Sequence, residues 1–207
     1  MARMVRLNIQ FNCVLQQDNG AVPNTMILLR GRRYKEFLTR NFMIKKKICM
    51  VGVFAVGKTS LVQRFVKSMF SEKYLTTVGV KIDKKTMEIK GKSVELMLWD
   101  LQGEDEFQKL NVSYLRGASG YFLVVDSTRA STLEGALKVK EKVDSTLGNV
   151  PFLVLLNKVD LLDQWDIDPR KLKEFEDKGW SMMKTSAKTG QGVEESFQAL
   201  ALRLLED

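Results

Sequence analysis

The chain has 207 residues, 44% of them hydrophobic, which suits one α/β domain with something left over and leaves ample material for a packed core. No apolar run approaches the ~20 residues of a membrane helix, and the basic N-terminus lacks the apolar region and small-residue site of a signal peptide. With two cysteines and no histidine, a disulfide framework, the usual zinc sites and histidine-based hydrolase triads are excluded, which fits a reducing cytoplasm and any metal being a hard cation on oxygen ligands.

Residues 1–42 hold seven basic and two acidic side chains, so most of the +8 net charge belongs to them. Val5, Leu7, Ile9, Phe11 and Cys13 alternate with polar residues as a strand does, and Asp18-Asn19-Gly20 signals a turn. The segment is too short for an independent domain. Three readings stand: an added strand and helix, a flexible arm, or a stretch preceding a natural start at Met43. As a basic N-terminal extension it suits either a solvated surface or weak, reversible contact with an acidic membrane. Aromatic and basic residues are not interleaved there, so no nucleic-acid partner is expected.

From Met43 an α/β rhythm begins and runs to residue 207. Lys47–Val51 reads as a buried strand, Gly52–Thr59 as a loop, and Lys58–Ser68 as a helix with Leu61, Val62 and Phe65 on one face. Alternation predicts strands over Val78–Ile89 and Ser93–Leu101, with Lys90-Gly91-Lys92 as the hairpin turn between them. Gly120–Asp126 and Pro151–Asn157 are apolar runs of the kind buried on both faces, separated by a helix over Ser131–Leu147. A helix beginning at Pro169 runs to Lys178, a short strand covers Trp180–Lys184, and a closing helix is marked by Val193, Phe197, Leu200 and Leu204. Strands alternating with helices imply a largely parallel, doubly wound α/β sheet.

Gly52-Val53-Phe54-Ala55-Val56-Gly57-Lys58-Thr59, followed by Ser60, matches GxxxxGK[ST] between a predicted strand and a predicted helix. Its glycines let the backbone fold around phosphates with N–H groups pointing inward, and the helix N-terminus adds positive potential. Lys58 is placed to reach the β- and γ-phosphates, and Thr59 to ligate Mg²⁺.

Asn157-Lys158-Val159-Asp160 closes the second buried run, and Thr185-Ser186-Ala187-Lys188 follows the next strand. Guanine presents N1–H and N2–H₂ on one edge, and the Asp160 carboxylate accepts from both. Adenine lacks that donor pair and would leave the charge unpaired. The Ala187 N–H is suited to guanine O6, and the stems of Lys158 and Lys188 to the two faces of the ring.

With both motifs in order, Ile44–Leu205 resembles the Ras superfamily of small GTPases, Rab-like in Tyr114-Leu115-Arg116-Gly117-Ala118 and Thr185-Ser186-Ala187-Lys188. The resemblance implies a P-loop domain with a six-stranded, mostly parallel sheet flanked by five helices, a GTP/GDP cycle used in signalling, and two switch loops read by effectors and regulators. Thr76-Thr77-Val78-Gly79-Val80 is similar to the first switch: Thr77 for Mg²⁺ and the γ-phosphate, Phe70 against the base, Tyr74 over the phosphates. Asp100-Leu101-Gln102-Gly103 is similar to the start of the second: Asp100 for Mg²⁺, the Gly103 N–H for the γ-phosphate. Lys58, Thr77, Gly103 and Glu104 make up the expected hydrolytic set, and Thr59, Thr77 and Asp100 the metal set.

Two residues depart from the family pattern. Glu104 stands where the family has a water-positioning glutamine; an ionised carboxylate can accept from water but cannot donate to a phosphate. Phe54 stands where a small P-loop residue admits an activating arginine, worth about 10³–10⁵ in rate. These predict slow hydrolysis, with a nucleotide-holding module of little turnover as the alternative. The chain ends Arg203-Leu204-Leu205-Glu206-Asp207, which predicts no prenyl anchor.

Overall fold

The computed structural model describes residues 43–71, 76–104 and 110–206. The readings for residues 1–42 and for Tyr74 lie outside the described residues. β1 (Ile44–Val51) runs into α1 (Lys58–Lys67), followed by β2 (Val80–Ile89) and β3 (Lys92–Leu101). After a 3₁₀ turn at Val112–Leu115 come β4 (Gly120–Asp126), α2 (Ser131–Leu147) and β5 (Phe152–Asn157). A second 3₁₀ segment, Val159–Gln164, precedes α3 (Pro169–Asp177), β6 (Met182–Lys184) and α4 (Val193–Glu206). Four α-helices thus lie among the described residues, where the resemblance implies five.

The strands form one six-stranded sheet in the order β2-β3-β1-β4-β5-β6. All neighbours are parallel except β2, which pairs antiparallel with β3. The β2–β3 turn is two residues long, because Lys92 joins the ladder opposite Ile89. Lys90 and Gly91 both have positive φ, 49° and 72°, as a type I′ hairpin requires. β1 starts earlier than its apolar run, since Ile44–Lys46 pair with Val94–Leu96 and the lysine run hides the alternation. β6 is shorter than expected because Trp180 stacks on Phe175 at 4.8 Å instead of joining the ladder.

Alternate residues of the central strands divide the core in two. Ile48, Met50, Phe122, Val124, Leu153 and Leu155 face α1 and α4, where the rings of Phe65 and Phe197 stack at 3.9 Å. Cys49, Val51, Leu123, Val125, Val154 and Leu156 face α2 and α3 through Val139, Val143 and Phe175. Helices cover both faces, which is why these strands read as unbroken apolar runs. β1 lies between β3 and β4, so the chain winds to opposite sides of it. The carboxyl ends of β1, β3, β4, β5 and β6 share one edge, and the crevice at such a reversal is where an open α/β sheet places its ligand.

Candidate functional site

A cleft of ≈ 270 Å³ opens at that edge. From the glycine loop and α1 it takes Phe54, Ala55, Gly57, Lys58, Thr59 and Ser60. From the later loops it takes Phe70, Thr77, Gly103, Asn157, Lys158, Asp160, Ala187 and Lys188. Thr76 and Leu101, which lie inside the two switch-like motifs, also line it, as do Gln63, Ser71 and Leu161, which no sequence reading assigned to the site. Gly52, Val56, Asp100 and Ser186 stand outside that lining and act through neighbours. Phe70 does two things at once: it packs against the α1–α4 side of the core and lines the cleft.

The glycines of the loop are there for space. A Cβ on Gly57, whose φ is 96°, would sit 2.3 Å from Asn157 Nδ2. One on Gly103 would sit 2.7 Å from Phe54 Cα and 2.9 Å from Lys58 Nζ, so only glycine brings that backbone N–H to the loop. Lys58 is buried at 6% exposure, and its ammonium donates to the carbonyls of Gly52 and Val53, each at 3.0 Å. Burial pulls its pKa down to about 8, against the attraction of Asp100. Two of its three protons are used on carbonyls, which leaves the third for a phosphate oxygen.

Three oxygen-bearing side chains from three segments meet beside Lys58. Thr59 Oγ1 donates to Asp100 Oδ2 at 2.6 Å, Thr77 Oγ1 donates to the same oxygen at 3.1 Å, and the two hydroxyls are 2.7 Å apart. Asp100 is fully buried, and among the described residues its Oδ1 has no hydrogen-bond partner. Burial raises its carboxyl above the ordinary value, while the two threonines and Lys58 work the other way. A buried carboxylate oxygen left without a partner beside two hydroxyls is a donor set suited to a hard divalent cation.

On the other side of the cleft, Asn157 ties the two loops together. Its Nδ2 donates to Val56 O at 2.9 Å, and its Oδ1 accepts from the Ala187 N–H at 3.3 Å. Ser186 Oγ donates to Asp160 Oδ1 at 2.5 Å and fixes the orientation of that carboxylate. The Lys158 ammonium is held by the buried Asp126 at 2.6 Å, so its stem runs along the cleft wall with its charge anchored.

Glu104 is the one predicted residue that the structure takes elsewhere. Its backbone is stitched to the glycine loop, with Phe54 N–H donating to its carbonyl at 3.0 Å. Its carboxylate does not line the cleft; it is ion-paired with Lys142 of α2, and the side chain is 16% exposed. The sequence puts Glu104 in the hydrolytic set, and the structure pairs its carboxylate with Lys142. A half-buried carboxylate is costly without a cation, and Lys142 supplies one from α2. The sequence gave Gln102 a place in a motif but no role; its Oε1 accepts from Gly79 N–H at 2.8 Å and joins the two switch-like segments.

The Ras family's sequence model matches residues 47–206. The chain is also similar to Ras-related protein Rab-32C of Dictyostelium discoideum, at 36% identity over 167 residues, 79% of this chain and 75% of the relative. The family match runs from within β1 to the end of α4. The chain therefore belongs to the Ras family, as a Rab-like small GTPase: a GTP-binding switch whose fold places phosphate and base loops on one edge.

Proposed function

We propose that this chain binds GTP and GDP together with Mg²⁺ in the cleft at the carboxyl edge, and that it hydrolyses GTP slowly. The observation that carries the binding is the meeting of three separate segments at one cleft: Lys58 and Thr59 line it together with Asp160, and Asp100 stands behind Thr59, accepting from its hydroxyl at 2.6 Å. Thr59, Thr77 and Asp100 would hold Mg²⁺, which when bound offsets the negative charge of the β- and γ-phosphates. Lys58 binds the phosphates, the Gly103 N–H orients the γ-phosphate, Asp160 accepts from the guanine edge, and Phe70 excludes water from the base.

The slow rate follows from two side chains. Glu104, held by Lys142, offers no amide to a water near the γ-phosphate. Phe54 lines the cleft where an activating arginine would enter. The same two features favour a second reading, in which the domain holds GTP and hardly turns it over. Val78, next to Thr77, is 86% exposed and Ile82 on β2 is 47% exposed, apolar surface suited to an effector that reads the bound nucleotide. Residues 1–42 are proposed as a separate basic extension ahead of the domain, acting in the cytoplasm or at an acidic membrane surface. Among the described residues, no helix is long and apolar enough to cross a membrane.

The test is to identify the nucleotide that purifies with the protein and to follow single-turnover hydrolysis of GTP with Mg²⁺. Slow, measurable release of phosphate supports the switch. GTP persisting for many hours supports the holding module. No guanine nucleotide bound or bindable would sink both.

A further inference from the structure

Arg64 lies on α1 outside the residues that line the cleft, and no motif singles it out. Its guanidinium reaches across 123 residues of sequence to the loop after β6: Nε donates to Ala187 O at 2.7 Å, and Nη2 donates to Lys188 O. Its Nη1 donates to Ser68 O at 3.2 Å, where α1 ends in a left-handed residue, so the fork itself is braced. Ala187 and Lys188 both line the cleft.

We propose that Arg64 is a positioning residue for guanine selectivity, a clamp that turns the Ala187 and Lys188 carbonyls away from the base so that the loop offers O6 a donor. The inference rests on the reading of Ala187 as the O6 contact. Guanine O6 is an acceptor, and a backbone carbonyl turned toward it would repel it. Two successive carbonyls drawn onto one planar cation leave the N–H side of the loop for the cleft. A guanidinium does this with two donors in a fixed fork, which a lysine ammonium cannot reproduce. The Ala187 N–H meets Asn157 Oδ1 at 3.3 Å, a long bond that a better acceptor can displace. The clamp therefore presets the loop from behind while its front stays available.

The experiment compares the wild type with Arg64→Ala and Arg64→Lys. Three probes are used: GDP; 6-thioguanosine diphosphate, which keeps N1–H and N2–H₂ but carries the weaker acceptor sulfur in place of O6; and xanthosine diphosphate, which alters the edge facing Asp160. In Arg64→Ala the preference for GDP over the 6-thio nucleotide should fall by up to about tenfold, the size of one lost hydrogen bond to the base. The preference for GDP over xanthosine diphosphate should stay as in the wild type, and Arg64→Lys should lie between. Equal weakening toward all three nucleotides, or an unchanged O6 preference, would overturn the clamp and leave Arg64 a structural tie. Should Arg64→Ala not fold, Arg64→Lys carries the same comparison. A wild type that shows no O6 preference refutes the Ala187 reading itself, which separates that failure from failure of the clamp.

Discussion

Replacing Asn157 by alanine tests the link between the phosphate and base loops most directly. The side chain is 1% exposed and makes three hydrogen bonds, to Val56 O at 2.9 Å, from Ala187 N–H at 3.3 Å and from Thr185 Oγ1 at 3.4 Å. Val56, Thr185 and Ala187 are themselves buried, so the partners are left without water. An orphaned buried donor or acceptor costs about 1–3 kcal/mol. The bonds at 3.3 and 3.4 Å are weak and count about 0.5 kcal/mol each, so the sum is about 2–4 kcal/mol. Part of this appears as lower stability in urea. The part borne by the nucleotide complex appears as faster release, and at 1.4 kcal/mol per tenfold the full cost would be about 30- to several-hundred-fold. The assay is release of a fluorescent GDP analogue chased by excess GDP, alongside urea unfolding followed by tryptophan emission. If neither release nor unfolding changes, Asn157 is not the strut described here.

Gly57→Ala should abolish nucleotide binding, because its Cβ would collide with the Asn157 amide at 2.3 Å on a backbone already at φ 96°; detectable GDP binding by calorimetry would contradict that. Glu104→Gln should raise single-turnover hydrolysis about tenfold, equal to 1.4 kcal/mol of barrier, by supplying an amide that Lys142 does not hold; Lys142→Met should leave the rate within about twofold, since the freed carboxylate is repelled by the phosphates. An unchanged rate in Glu104→Gln removes residue 104 from the chemistry. Cys49 is fully buried, and burial pushes its thiol up to about 12 from an ordinary 9.0. Alkylation at pH 8 should therefore leave the Cys49 peptide unmodified in folded protein and modify it in urea, as read by mass spectrometry. The unfolded chain loses that proton first, so this thiol's contribution to stability is complete below pH 9 and is lost as pH rises toward 12.

The sequence by itself determined the strands, the helices and the identity of the loops between them. Apolar runs such as Gly120–Asp126 and the periodicity of Ser131–Leu147 come from burial on known faces, and the structure has both with those bounds. The glycine loop was legible because phosphate recognition by backbone N–H groups needs particular residue types at fixed local spacing. Asp160 stood out as a candidate for a related reason, since one carboxylate at a strand end suits one donor pair on a base, and the structure has it in the cleft lining. What the tertiary structure decided are contacts between residues far apart in the chain. Ion pairing of Glu104 with Lys142 spans 38 residues, and Arg64 reaches Ala187 across 123. Nothing in local spacing encodes such a meeting. It depends on β1 lying between β3 and β4, which brings α1, α2 and the loop after β6 around one edge. The direction in which a charged side chain leaves its backbone is settled by where burial leaves it a partner, and for Glu104 that partner is Lys142 on α2.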